Sequence, residues 1–164
     1  MISFSELECN NIINLSNELT STRRDESPRD IKYTFYSIGR NDNTNWIFDR
    51  LDSYLTETLE IKVVKQLDAI HLFDYEEGDL FSRHRDIYYE NQIHNIGVCL
   101  NDDYEGGDFV LHEPTYTILP KKAGSIYTFK HSLEHEVLPV TKGHRWSLIG
   151  FYFYEHLDLK KPLV

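Results

Sequence analysis

The chain changes its hydrophobic rhythm about a third of the way along. Before that point apolar residues recur at helical spacing. Cys9, Ile12, Ile13 and Leu19 follow one another at the intervals of an amphipathic helix and predict one over residues 5–20. Ser3 with Glu6, and Ser5 with Glu8, both fit a capping box, in which a hydroxyl and a carboxylate satisfy the free N–H groups of a helix start. Ile47, Leu51, Tyr54, Leu55 and Leu59 repeat the period behind a second start signal at Asn41–Thr44. Between these helices, residues 20–30 carry charges and Pro28 and read as a surface loop. Ile31, Tyr33 and Phe35 then alternate with polar residues, predicting a half-buried strand over 31–38.

Beyond about residue 61 the period drops to two. Short strands are expected at about 67–75, 81–87, 93–100, 108–112, 115–119, 125–130, 134–140 and 144–154. Turn material such as Glu76-Glu77-Gly78, Asn101-Asp102-Asp103, Glu105-Gly106-Gly107 and Lys142-Gly143 separates them. Many short strands in series suit a sandwich or barrel, and helices gathered at one end suit a cover for one sheet. The last strand is the clearest, with Arg145, Ser147, Ile149, Phe151 and Phe153 on one face. A cation heading an otherwise apolar inward face is costly unless paired, so Arg145 invites an anionic partner. Trp146 falls on the opposite face and reads as packing.

Composition narrows the function classes. A chain of 164 residues is long enough to bury a core and is read as one domain, with helical support over about 1–60 and a β core over about 61–155. Its net charge of −10 argues against a nucleic-acid partner, since phosphate binding depends on Lys and Arg. Cys9 and Cys99 stand far apart without metal-ligand spacing and read as reduced thiols. With neither a basic, apolar leader nor an apolar run of membrane-spanning length, the expected location is cytoplasmic.

Candidate chemistry enters at Phe81-Ser82-Arg83-His84-Arg85-Asp86. On a strand, His84 and Asp86 point to one face, and an imidazole beside a carboxylate supplies two ligands of a 2-His-1-carboxylate iron site. Alone, the pair reads equally as a surface ion pair or a strand-edge hydrogen bond. A second histidine, His135, opens the segment His135-Glu136-Val137-Leu138-Pro139-Val140-Thr141-Lys142-Gly143-His144-Arg145-Trp146-Ser147. A hairpin turning at Lys142-Gly143 would set His135, Arg145 and Ser147 around one cavity, with Arg145 as a planar fork for a carboxylate. Arg83 and Arg85 should point away from the metal into surface salt bridges.

Four ordered segments then resemble the iron(II)/2-oxoglutarate-dependent oxygenases, most closely the prolyl 4-hydroxylase-like group. They are Tyr75, Gly78, Phe81, His84 and Asp86; Leu100-Asn101-Asp102 through Gly106-Gly107; Pro120 with Gly124; and His135, Pro139-Val140, Gly143 and Arg145. The opening Phe4, Cys9, Ile12 and Ile13 also look like that group's N-terminal helix. Cys99 stands where the group often has tyrosine, the threonine often found near Asn95 is absent, and Arg145 stands where collagen-type enzymes use lysine. The resemblance implies a mainly β (α+β) fold, a double-stranded β-helix (jelly-roll, cupin-like) with N-terminal helices packed on one sheet. It implies Fe(II) held by His84, Asp86 and His135, and 2-oxoglutarate bound by Arg145, Ser147 and Tyr75. O2 and ascorbate complete the set. The implied reaction couples decarboxylation of 2-oxoglutarate to succinate with hydroxylation of a C–H bond, and the carboxylate at Asp86 favours hydroxylation over halogenation. A prolyl or other amino-acid side chain, in a peptide or free, leads as substrate. A small metabolite, a nucleobase or a non-catalytic jelly-roll binding module are the alternatives.

The other histidines, His71, His94, His112, His131, His144 and His156, show no spacing for a second site. His131 lacks the residues that follow His135 at the matching distances. Tyr88, Tyr89 and His94 could line a substrate rim or form an ordinary loop.

Overall fold

The computed structural model describes residues 3–59, 64–66, 69–86 and 92–154. Helix α1 (Glu6–Asn14) starts at Ser5, whose hydroxyl accepts from the Glu8 N–H while the Glu8 carboxylate accepts from the Ser5 N–H, so the capping box is complete. The helix is shorter than its apolar period suggests. Leu15–Asn17 tighten into a 3-10 turn, where Ser16 and Asn17 are poor helix formers.

Residues 21–26, expected as a loop, instead form β1 (Ser21–Glu26), which makes a hairpin with β2 (Ile31–Gly39). No apolar alternation marks β1 because neither face is buried. A charged edge strand of this kind resists pairing with other chains. Helix α2 (Asn45–Leu59) buries Ile47, Phe48, Leu51 and Leu55. The remaining strands are β3 (Val64–Gln66), β4 (Ala69–Tyr75), β5 (Leu80–His84), β6 (Gln92–Cys99), β7 (Glu105–Gly106), β8 (Phe109–Leu111), β9 (Thr117–Ile118), β10 (Ile126–Lys130), β11 (His135–Val137), β12 (Val140–Lys142) and β13 (Arg145–Tyr154).

One hydrogen-bonded order, β10-β6-β13-β4-β2-β5-β11-β8-β9, curls round as an antiparallel sheet, with β7 and β12 as a separate pair. The curl turns on β2. Its residues Thr34–Gly39 pair with β4, and Ile31 and Lys32 pair with β5. Chain direction is kept across Glu76–Asp79, and Gly78 takes φ 87° there, a conformation that suits glycine. The bend is held by Asp79, which accepts from the Glu76 N–H and pairs with Arg23. So β4, β13, β6 and β10 form one wall, and β5, β11, β8 and β9 the other. This is the jelly-roll architecture that the resemblance implies, and a form of the barrel that the strand pattern suits.

Two cores result. Cys9, Ile12, Ile47, Phe48, Leu51 and Leu55 of the helices pack on Ile38, Ile70, Leu72, Ile96, Val98, Leu148 and Tyr152 on the outside of one wall. At about 1.5–3 kcal/mol per large side chain, this burial holds the helices far more firmly than their intrinsic propensity. Trp146 packs on the same cluster and stacks on Tyr36 with centroids 6.2 Å apart. A second, aromatic core of Tyr33, Tyr75, Phe109, Tyr127, Phe129 and Val137 fills the inside between the walls. No helix among the described residues is long and apolar enough to cross a membrane.

The expected hairpin from His135 to Ser147 does not form. Strand β11 stops before Pro139, which has no N–H to continue a ladder. Strand β12 pairs with β7, and β11 pairs with β5 and β8, while β13 lies in the opposite wall against β4 and β6. His135 and Arg145 therefore face one interior from opposite sides.

Candidate metal centre and anion site

His84 ends β5 and His135 begins β11, and the two are direct cross-strand partners. Their rings lie 4.3 Å apart. Asp86 sits just past the end of β5, where its N–H donates to the His131 carbonyl at 3.1 Å and carries the chain on beside the other wall strand. Ligand atoms of His84, Asp86 and His135 all lie within 4.8 Å of one another. His84 Nε2 is 3.4 Å from one Asp86 oxygen and His135 Nε2 is 3.4 Å from the other.

The tautomers follow from the ring nitrogens facing the main chain. His84 Nδ1 donates to the Ser82 carbonyl at 2.7 Å, and His135 Nδ1 donates to the Leu133 carbonyl at 2.9 Å. A carbonyl only accepts, so each Nδ1 carries a hydrogen and each Nε2 turns inward. The inward atoms are then two imidazole nitrogens and a carboxylate, at separations longer than a good N–H···O bond. Three acceptors so placed need positive charge between them: a proton on each ring, or one cation at the centre. The donor set fits a divalent transition metal with open positions.

Burial by itself would raise the Asp86 pKa, but positive charge on the rings of His135 and His84, present when each carries its second proton, outweighs it and holds the carboxyl well below the usual carboxylate range. Asn95, fully buried on β6, donates from Nδ2 to Asp86 Oδ2 at 2.6 Å. Sequence reasoning noted Asn95 only as a departure from a pattern. Its only signal is a polar residue at the head of the apolar run Ile96-Gly97-Val98. Phe81 stacks on His84 at 3.8 Å, and Phe109 stacks on His135 at 5.4 Å, so the imidazoles are clamped by aromatic planes. Outside the barrel, Arg83 pairs with Glu134 and Arg85 pairs with Glu113 at 2.7 Å, as strand alternation anticipates.

Across the interior, Arg145 is 3% exposed. Its Nη1 donates to Ser147 Oγ at 2.9 Å, while its Nε is buried with no hydrogen-bond partner. Its guanidinium carbon stands 5.2 Å from the centre of the Tyr75 ring, and Tyr75 is its direct partner across the strand pair. Among the described residues no carboxylate forms an ion pair with it. A buried guanidinium with an orphan N–H and no counter-charge fits a bound anion. Burial drives the Tyr75 pKa far up, with Arg145 opposing and Asp86 adding to the rise, so Tyr75 senses both ends of the interior and stays a neutral phenol.

His144 does not stand apart as expected. Its Nδ1 lies 3.0 Å from Asp74 Oδ1, and with Glu76 the three could hold a metal ion, although Glu76 and His144 are exposed. His94 is half-buried on β6, and its Nδ1 has no hydrogen-bond partner. Tyr88, Tyr89 and His156 lie outside the described residues.

Known proteins share this fold. Among curated proteins none matches the sequence. Among solved structures, an oxidoreductase of the 2OG-Fe(II) oxygenase family from Burkholderia pseudomallei superposes with a TM-score of 0.80 at 14% identity, covering 96% of this chain and 84% of its own. A prolyl hydroxylase from Trichoplax adhaerens, in complex with a hypoxia inducible factor oxygen degradation domain peptide fragment, gives 0.71 at 16% identity, covering 89% and 76%. A Pseudomonas putida prolyl-4-hydroxylase gives 0.66 at 19% identity, covering 91% and 83%. These likenesses bear on the fold. The family model described as the 2OG-Fe(II) oxygenase superfamily matches residues 70–153, a span that takes in His84, Asp86, His135 and the arginine opposite them. By that match the chain belongs to the 2OG-Fe(II) oxygenase superfamily and is an oxygenase.

Proposed function

We propose that this protein hydroxylates a C–H bond of a prolyl or other amino-acid side chain, with Fe(II) held by His84, Asp86 and His135 and 2-oxoglutarate anchored by Arg145, Ser147 and Tyr75. The observation that carries the reading is the pairing, inside one barrel, of three convergent acceptors with a buried, unpaired cation on the facing wall. One half asks for a metal and the other for an anion. A keto-acid with a second carboxylate answers both.

Bound iron, with 2-oxoglutarate and O2, supplies the oxidising power that C–H hydroxylation requires, leaving succinate and carbon dioxide. The chain's own part is positional. His84 and His135 present Nε2 because their Nδ1 hydrogens are tied to main-chain carbonyls. Asp86 stays ionised and is oriented by Asn95. Arg145 and Ser147 fix the far end of the co-substrate. Phe81, Phe109 and Phe129 surround the triad with apolar rings and keep water from competing there.

Support for an amino-acid side chain comes from the prolyl hydroxylase neighbours, one of them with a peptide fragment bound. The test incubates the protein with Fe(II), ascorbate and 2-oxoglutarate against peptide and amino-acid libraries, following succinate and the mass gain of one oxygen. Succinate formed in step with an oxidised proline or other side chain is expected. No succinate with any peptide or metabolite pool, together with no metal-dependent 2-oxoglutarate binding, rejects the reading.

A further inference from the structure

The Arg145 Nε is not alone among the described residues in lacking a hydrogen-bond partner. On β10, Tyr127 is buried, and its hydroxyl also has no hydrogen-bond partner. Tyr127 pairs directly with Gly97 on β6, and Gly97 pairs in turn with Ile149 on β13. A Cβ added at Gly97 would stand 2.2 Å from the Tyr127 Cε2 and Cζ atoms and 2.5 Å from its oxygen. No real side chain tolerates such separations, so the phenol lies flat over bare backbone and points across β6 towards β13. Strand β13 carries Arg145 and Ser147, and Ser147 pairs with Cys99, two residues along β6 from Gly97.

Electrostatics agrees with that placement. Burial pushes the Tyr127 pKa up to about 12, and Arg145 pulls it back, first by its charge and also as a side chain within reach of the phenol oxygen, which can only accept from a guanidinium and so keeps its own hydrogen to donate. The hydroxyl is therefore a neutral donor close to a cation. Other groups nearby are already engaged. The Cys99 sulfur lies 3.1 Å from each of the Asn101 and Lys121 carbonyls, which share its single S–H. The Tyr104 hydroxyl lies 3.9 Å from that thiol, within sulfur hydrogen-bonding range, and Lys121 stands over its ring. Two buried donors remain unmet on one side of the barrel, and leaving buried donors unmet is unfavourable.

We propose that Tyr127, laid over Gly97, donates its hydroxyl hydrogen bond to the far carboxylate of 2-oxoglutarate, sharing that anion with Arg145. This assignment rests on the reading of Arg145 as the co-substrate's anchor and adds a residue to it. It also places a phenol beside the anion in a chain whose position 99 is cysteine.

The test titrates Mn(II)-loaded protein by calorimetry with two ligands: 2-oxoglutarate, and 2-oxopentanoate, which has the same chain length without the far carboxylate. Wild type, Tyr127→Phe and Arg145→Met are compared, and each variant's Mn(II) affinity and melting temperature show that it is folded. Tyr127→Phe is expected to weaken 2-oxoglutarate about tenfold, as loss of a hydrogen bond to a charged group does, with 2-oxopentanoate unchanged. Unchanged 2-oxoglutarate affinity, or equal weakening of both acids, overturns the assignment while leaving Arg145 in place. If Arg145→Met also binds 2-oxoglutarate like wild type, the anchor itself is misread and the role of Tyr127 falls with it.

Discussion

His84 and His135 each tie Nδ1 to a carbonyl two residues earlier in the chain, at Ser82 and Leu133. This bond, made within the chain's own strand end, is what turns Nε2 inward. Metal binding should therefore depend on the ligands themselves and on the group orienting the carboxylate. His135→Ala is expected to abolish Mn(II) retention through dialysis. Asn95→Ala, which frees Asp86 Oδ2, should weaken Mn(II) about 10- to 100-fold with the fold intact, the usual effect of losing an outer hydrogen bond to a ligand. Metal titration followed by circular dichroism separates loss of affinity from loss of structure; wild-type affinity in His135→Ala would remove it from the ligand set. His84 and Asp86 were legible because strand period links residues two apart, and Arg145 because a charge interrupts an apolar face. Asn95 and Tyr127 were not. Their partners are brought to them by β6 and β10 pairing, and a tyrosine in a strand reads first as core.

Elements were legible where one face meets a core. Helix α2, β4, β6 and β13 each carry an apolar period, and each lies near its expected place. Strand β1 carries none, because its pairing with β2 leaves both faces wet, and chain neighbours misled for β11 and β13, which Pro139 sends to opposite walls. Capping is the other local rule that held. Ser5 and Glu8 close the start of α1, and Arg50 of α2 joins them, 2.7 Å from Glu8. Ser5→Ala is expected to lower stability by about 1 kcal/mol in urea unfolding. The Ser5 N–H bond is the main cause of a lowered Glu8 pKa, with burial opposing and Arg50 assisting. A depressed carboxylate pKa gives stability that is present above the ordinary value of 4.5 and lost as pH falls through the folded value. The gap between Glu8→Gln, which cannot ionise, and wild type should therefore narrow in acid, and a gap constant down to the lowest measurable pH would mean that the Glu8 half of the box is idle.

At the scale of the whole molecule, the barrel keeps an unfavourable interior that a ligand relieves. The wall containing β13 holds a guanidinium that has no counter-charge among the described residues, and the facing wall holds a carboxylate between two imidazoles. An uncompensated buried charge destabilises a fold by several kcal/mol, so the ligand-free protein sits below the stability its two cores could provide. Binding reverses this by mass action: a ligand at 100 times its Kd adds about 2.7 kcal/mol, and in a chain of this size each kcal/mol raises Tm by about 2–4 °C. Mn(II) with 2-oxoglutarate should thus raise the wild-type Tm by several degrees. Arg145→Met exchanges the charge for an apolar chain of similar length, and two opposite effects follow. Without ligands its Tm should equal or exceed that of wild type, since the desolvated charge is gone; with Mn(II) and 2-oxoglutarate together, only the rise due to the metal should remain. Scanning calorimetry of the two proteins, with and without each ligand, reads both effects in one experiment. An Arg145→Met protein that melts well below wild type in the ligand-free state would mean that Ser147 and the ring of Tyr75 already satisfy the cation, and that no anion is needed to complete this wall of the barrel.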